Sequence, residues 1–366
     1  MKLTVPELGR EEAEAVTAVL ESGNLTQGPV AKEFESLIAA YVGSTFGVAT
    51  SSCTTGLHLC LDALGIEPGS EVIIPDFTFP ATANVVIQQG AVPVIVDVDP
   101  STLTMDPEAL ADAITPRTAA IIPVHTFGVC ADMEEIMRIA GSVPVIEDAA
   151  CALGSSYGGR RAGVLGDLAV FSFHPRKIVT TGEGGVITTN QSYLAERLRL
   201  KCSHGGRRKE FYFEFVDAGF NYRLSDIHAA IGIVQMSRID SIIARRQELA
   251  DQYSRNLEGT PQITMQKVPP GSESTYQSLV VLLDEVLDRD NIIRILRERG
   301  IESTLGTYSL HNQPLFRERF GYRPGAFPAG DMAFRTSLTL PVYPSMTFSD
   351  VDLVCETLRS VMSEGS

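Results

Sequence analysis

The chain has 366 residues, 44% of them hydrophobic and 20% charged, the make-up of an ordinary soluble globular protein long enough for two or more domains. Its formal net charge of −15 argues against general binding to nucleic acid or to anionic membranes, because both require a basic face. The six cysteines (53, 60, 130, 151, 202 and 355) form no Cys-x-x-Cys, the six histidines lack metal-ligand spacing, and no apolar run approaches the roughly 18 residues of a membrane span. With no apolar signal region at the N-terminus, the expectation is a cytoplasmic protein with reduced thiols and no structural metal.

In chain order, amphipathic helices are expected at 10–22 and 29–41, joined by a loop at 23–28. Strands at 46–49, 71–74, 93–96, 119–124 and 144–147 then alternate with helices near 54–64, 80–89, 107–114 and 132–140. Alternation at this spacing requires crossover connections, hence a mostly parallel sheet covered on both faces. Apolar strands follow at 168–171 and 186–189, then a helix at 191–202 and a basic loop at 204–209. Helical spacing runs from 223 to 257, as one helix ending at Met236 and a longer one starting at Ile239, the candidate connector between domains. Beyond Thr260 the pattern is that of a small α/β unit: strand 277–283, helix 289–299, strand 336–340 and a last helix 349–362 with Ser349 and Asp350 as caps. Its loop 304–331 is long and rich in Pro and Gly, as functional loops are. The expected division is 1–240 and 241–366.

Three stretches carry chemistry. Ser52-Cys53-Thr54-Thr55 stands between a strand and a helix, and such a helix N-terminus binds phosphate through free amides and hydroxyls. Taken alone it is also simply a well-capped helix. The strand 144–147 leads into Asp148, beyond a carboxyl edge where ligands collect in open α/β sheets. An aspartate there serves as the acid a pyridoxal ring nitrogen needs, or as the cap of the next segment. Between the strands at 168–171 and 186–189 lie His174, Arg176, Lys177 and Gly182-Glu183-Gly184-Gly185. Partial burial and the adjacent Arg176 both disfavour the ammonium form of Lys177, and only the neutral amine attacks a carbonyl. A solvated lysine is the ordinary alternative. The loop His204-Gly205-Gly206-Arg207-Arg208-Lys209 suits a diphosphate, since guanidinium groups bind phosphate oxygens bidentately, or is a solvated loop.

Together with Pro75-Asp76-Phe77-Thr78-Phe79, Ile122-Pro123-Val124-His125, Gly219-Phe220-Asn221-Tyr222-Arg223 and Leu340-Pro341-Val342-Tyr343-Pro344, these blocks resemble the pyridoxal-phosphate sugar aminotransferases of the DegT–StrS type over nearly the whole chain. The resemblance implies an α/β, fold-type-I aminotransferase, with a large domain whose mostly parallel sheet is sandwiched by helices and a smaller C-terminal α/β domain. It makes Lys177 the Schiff-base lysine for pyridoxal 5′-phosphate, Asp148 the partner of the pyridine nitrogen and Phe79 the stacking ring. Thr54, Thr55 and Ser172 would hold the phosphate, with Asn221 reaching it from the neighbouring subunit of a homodimer with shared active sites. Tyr308 and His311, with His204 and Arg207, are the candidate substrate contacts. The chain departs from the family at Cys151, usually Gln or His near the ring's phenolic oxygen, and at Cys53, often Gly. The implied reaction moves an amino group from an amino acid, L-glutamate, to a nucleotide-linked keto sugar. Gly-Glu-Gly-Gly resembles the branch acting at C4 of 4-keto-6-deoxyhexoses; C3 of the sugar and a keto-inositol or other cyclic ketone are the alternatives. The family's dehydratases carry histidine in place of Lys177, and a non-catalytic regulator would have no need of Lys177 or Asp148.

Overall fold

The computed structural model describes residues 1–364. Its larger sheet is built from β1 (Phe46–Thr50), β2 (Glu71–Pro75), β3 (Val92–Val96), β4 (Thr118–Ile121), β5 (Ile146–Asp148), β6 (Leu168–Ser172) and β7 (Gly185–Thr189). The lateral order is β3-β2-β4-β5-β6-β7-β1, with β4 joined to β5 through the parallel bridges Ile121–Val145 and Val124–Asp148. Only β7 runs against the rest, antiparallel to both β6 and β1. The connections explain this. Helices Cys53–Leu64, Ala81–Gln88, Pro107–Ala113 and Met133–Ala140 follow β1 to β4 and supply crossovers, whereas β6 and β7 are joined by a loop alone. That loop holds Lys177.

The strands read as continuous apolar runs because both faces of the sheet are covered. Ile73, Ala169 and Phe171 face one core, with Phe34 and Ile38 of helix Pro29–Val42. Val72, Ile74 and Val170 face the other, with Leu57 and Leu61 of helix Cys53–Leu64. Helix Pro29–Val42 starts at Gly28, which has no side chain to cap it. The buried Asp226 carboxylate does so instead, accepting from Gly28 N (2.7 Å) and Ala31 N (2.9 Å).

Helix Ile239–Leu257 links the two halves of the chain. Its Ile239, Ile242 and Ile243 lie in the first core, and its Leu249, Ala250, Tyr253 and Leu257 lie in another. That third core lies against an antiparallel sheet ordered Ile263–Met265, Leu279–Leu283, Ser337–Leu340, Thr304–Leu305, with helices Arg289–Glu298 and Phe348–Glu364. Among the described residues, no single helix is long and apolar enough to cross a membrane. The pair Asp226–Met236 and Ile239–Leu257 reaches that length together but is bent by 60°.

Among the segments that differ from the sequence reading, three stand out. The strand expected to run to Val124 ends at Ile121, just before Pro123, which has no N–H for the ladder. The stretch 304–331 is no open loop: it contains helix Pro314–Phe320 and the start of helix Pro328–Thr336. The prolines that read as loop markers stand at the first helical position, where the missing N–H costs nothing. The basic loop 204–209 contributes Gly206–Arg208 to a hairpin with Phe213–Phe215.

Candidate active site

A cavity of about 590 Å³ lies where the carboxyl ends of β1, β2, β5 and β6 meet the smaller sheet. At its β1 edge Ser52 caps helix Cys53–Leu64: Ser52 Oγ accepts from Thr55 N (3.1 Å) and Thr55 Oγ1 from Ser52 N (3.0 Å). The amides of Cys53 and Thr54 find no acceptor among the described residues, and both residues line the cavity. Gly185 makes this approach possible, since a β-carbon there would sit 2.6 Å from Ser52 O and 2.8 Å from Cys53 N. Two free amides at the positive end of a helix, beside the Thr54 and Ser172 residues, form a cradle for a phosphate-sized anion. Thr55 departs from the expectation. Its hydroxyl is engaged in the cap and the residue is not on the cavity wall; Ser52 is there instead.

At the end of β5 two consecutive carboxylates take opposite faces. Glu147 turns away from the cavity and is fully satisfied by the amides of Gly163, Leu165 and Gly166 (2.8 Å each) and by His125 Nε2 (2.9 Å). His125 Nδ1 accepts from Ala131 N (3.2 Å), so the ring proton sits on Nε2 and points at Glu147. Asp148, 5% exposed, faces the cavity. Its Oδ2 accepts from Thr82 Oγ1 (2.7 Å) and its Oδ1 from Ala150 N (3.2 Å). Burial raises its pKa, against the pull of Thr82, the Ala150 amide, Lys177 and His125. A carboxylate in that position is completed by a cationic N–H, which a protonated pyridine supplies.

Lys177 Nζ lies 3.0 Å from Cys151 Sγ. The electrostatics reverse the sequence expectation. Burial works to lower the Lys177 pKa, but Cys151 first, then Cys53 and Asp148, outweigh it and the pKa is raised. Arg176, the cation beside it, is exposed, and the largest upward influence on Lys177 is the Cys151 sulfur. The loop is stapled from the smaller half of the chain. Gln277 Oε1 accepts from Ile178 N (2.8 Å) and its Nε2 donates to Arg176 O (2.6 Å), bracketing Lys177.

Phe79 lines the cavity with 63% of its surface exposed, its ring centroid 6.3 Å from that of Tyr308. The two are brought together by a short antiparallel pairing of Phe77–Thr78 with Tyr308–Ser309. His311 is not a wall residue. It is fully buried, with Nδ1 2.9 Å from Asp76 Oδ1 and Nε2 3.5 Å from Asp331 Oδ2, so it positions the segment that carries Tyr308. His204, Arg207 and Asn221 are exposed and do not line the cavity of their own chain. Sequence reasoning missed Thr82 and Gln277. Thr82 follows Phe79 at i+3 on the start of a helix, a spacing that would have suggested it; Gln277 acts from 99 residues away and has no local signal.

A sheet with one reversed strand, a phosphate cradle at its first helix and a lysine loop opposite a buried aspartate define a fold-type-I aminotransferase that uses pyridoxal phosphate. The comparisons agree. The chain belongs to the DegT/DnrJ/EryC1/StrS aminotransferase family, whose profile matches residues 6–359. It is 37% identical to the Bacillus subtilis spore coat polysaccharide biosynthesis protein SpsC over 374 aligned residues, covering 98% of this chain and 96% of that one. The structure of Streptococcus pneumoniae Spr1654, described as a sugar aminotransferase, superposes with a TM-score of 0.95 at 28% identity, covering 100% of this chain and 99% of that chain in its PLP form. A PMP form of the same protein matches equally well. Helicobacter pylori PseC, an aminotransferase involved in the biosynthesis of pseudoaminic acid, gives 0.94 at 27% identity, with 99% of both chains covered.

Proposed function

We propose that the protein transfers an amino group from L-glutamate to C4 of a nucleotide-linked 4-keto-6-deoxyhexose. The observation that carries this reading is the meeting of Lys177 Nζ, the Asp148 carboxylate and two unengaged helix amides on one cavity. Pyridoxal phosphate, when bound, supplies an aldehyde that takes the amino group and a ring that takes up electrons from the carbon losing its proton. Thr54, Ser172 and the amides of Cys53 and Thr54 hold the phosphate, and Phe79 covers the ring face. Asp148, oriented by Thr82, keeps the proton on the pyridine nitrogen. Lys177 is the attachment point between turnovers. Once released, its Nζ takes the proton from the donor's Cα and later delivers one to the sugar carbon that receives nitrogen. Gln277 keeps that amine in place by holding the backbone on either side of it.

The sugar substrate is supported by the relatives and by Gly182-Glu183-Gly184-Gly185, whose exposed Glu183 lines the cavity. The catalytic unit in this reading is a cytoplasmic homodimer. Phe211 and Phe215 on and beside the hairpin are 88% and 68% exposed, an apolar surface that a second copy would cover. Asn221 then reaches the partner's phosphate, and His204 and Arg207 the diphosphate of the partner's substrate, with Tyr308 on the sugar side. We place the division between the large and small domains at 240/241, within the first turn of helix Ile239–Leu257. The test is a panel of nucleotide keto sugars offered with glutamate, with products assigned by NMR. A 4-amino product supports the proposal; amination only at C3, or only of cyclic ketones such as a keto-inositol, overturns it.

A further inference from the structure

Cys151 differs from the other five cysteines. They are buried, Cys53 on the cavity wall included, whereas Cys151 is partly open and lines the same cavity. Its sulfur touches a single described polar partner, Lys177 Nζ at 3.0 Å. A cysteine sulfur open to solvent is within reach of peroxides, which oxidise it. The product of that reaction, a sulfenic acid, condenses with nearby nitrogen nucleophiles. Here Lys177 Nζ, 3.0 Å from the sulfur, is such a nitrogen and is the amine that transamination requires. A thiol, a lysine amine and an opening to solvent therefore meet at one point.

We propose that Cys151 is an oxidation site whose sulfenic acid is captured by Lys177 as an S–N bond, a reversible lock on the lysine whenever its amine is free. Cys151 sulfur attacks one oxygen of hydrogen peroxide and gives up its proton to solvent. The O–O bond breaks, an S–O bond forms, and the leaving hydroxide takes a proton from the Lys177 ammonium to become water. The neutral Lys177 amine then attacks the sulfenic sulfur, forming the S–N bond and expelling a second water. Sulfur is oxidised by two electrons and peroxide is reduced to two waters. Two equivalents of an external thiol reverse the change, restoring thiol and amine and leaving one disulfide. The lock needs the free amine, so the pyridoxamine form of the protein is sensitive. The pyridoxal form is protected, an arm that rests on Lys177 being the attachment point proposed above.

The experiment treats the full-length protein, converted to its pyridoxamine form with glutamate, with hydrogen peroxide and maps peptides without reduction. The expected result is a cross-linked pair of peptides containing Cys151 and Lys177, lighter than their sum by two hydrogens and lost on adding dithiothreitol. The pair should be absent from Cys151→Ser. In Lys177→Arg, a sulfenic-acid trap should label Cys151 because nothing captures the acid. Recovery of Cys151 as unmodified thiol, or as sulfinic acid beside an unmodified Lys177, in protein whose circular dichroism is unchanged overturns the proposal. Equal cross-linking in the pyridoxal form would leave the S–N bond standing and contradict Lys177 as the attachment point, so the two readings fail separately.

Discussion

A carboxylate as buried as Asp148 stays ionised only if something replaces the water it has lost, and here Thr82 Oγ1, the Ala150 amide and the charges of Lys177 and His125 share that task. An amide at this position keeps the shape and loses the charge. Asp148→Asn should therefore bind the cofactor but run the glutamate half-reaction roughly 10²–10³-fold more slowly, as when a preorganised electrostatic partner is removed. Stopped-flow absorbance checks this, and a wild-type rate would reduce Asp148 to a structural cap. His311 makes a different kind of contribution. Burial works to lower its pKa, but the hydrogen bond and charge of Asp76, with the charge of Asp331, raise it overall. Because the folded value lies above the unfolded one of about 6.5, its stabilisation is fully present below about pH 6.5 and is lost as pH rises through the folded value. Urea midpoints of the wild type should therefore fall across that rise more than those of His311→Asn. Parallel profiles would show that the ring's charge contributes nothing.

At the scale of elements, the approach of β7 to the cap of helix Cys53–Leu64 controls the phosphate cradle. Gly185→Ala would place its β-carbon 2.6 Å from Ser52 O and 2.8 Å from Cys53 N, both backbone atoms that cannot swing aside. Cofactor affinity should drop by about tenfold or more, a cost near 1.4 kcal/mol, read by absorbance titration against pyridoxal phosphate. Unchanged affinity would mean that these amides do not hold the phosphate. Which elements the sequence made legible follows from the same physics. The helix pair ending at Met236 and starting at Ile239 was readable because its apolar spacing is local, and so were the strands of the larger sheet, whose apolar runs are bounded by turn residues. The reversed direction of β7 was not read, although the absence of a helix between β6 and β7 carried that information. The hairpin at Gly206–Arg208 was hidden by its charge, and helices Pro314–Phe320 and Pro328–Thr336 by prolines that can either end or begin a helix. In the candidate site, Asp148 could be singled out because it ends a strand, and Lys177 because it lies in the loop between two strands. The contacts that tune them could not be, because Cys151 reaches Lys177 from 26 residues away and Gln277 reaches the loop from 99.

At the scale of the whole molecule, the proposed homodimer has two chains completing each other's sites. Asn221 is exposed and off the wall of its own cavity, yet Tyr222 beside it accepts Ser51 N (2.7 Å) through its backbone, next to the cradle. If Asn221→Ala and Lys177→Ala each abolish activity, re-equilibrated mixtures should regain it, because a heterodimer holds one doubly damaged site and one intact site. Heterodimers that form without activity would place Asn221 in its own subunit's site. The claim on which all of this rests is that Lys177 carries the cofactor, and borohydride reduction of the loaded protein followed by peptide mapping tests it most directly. The account predicts a pyridoxyl adduct on Lys177; an adduct on any other lysine, with Lys177 unmodified, would contradict it.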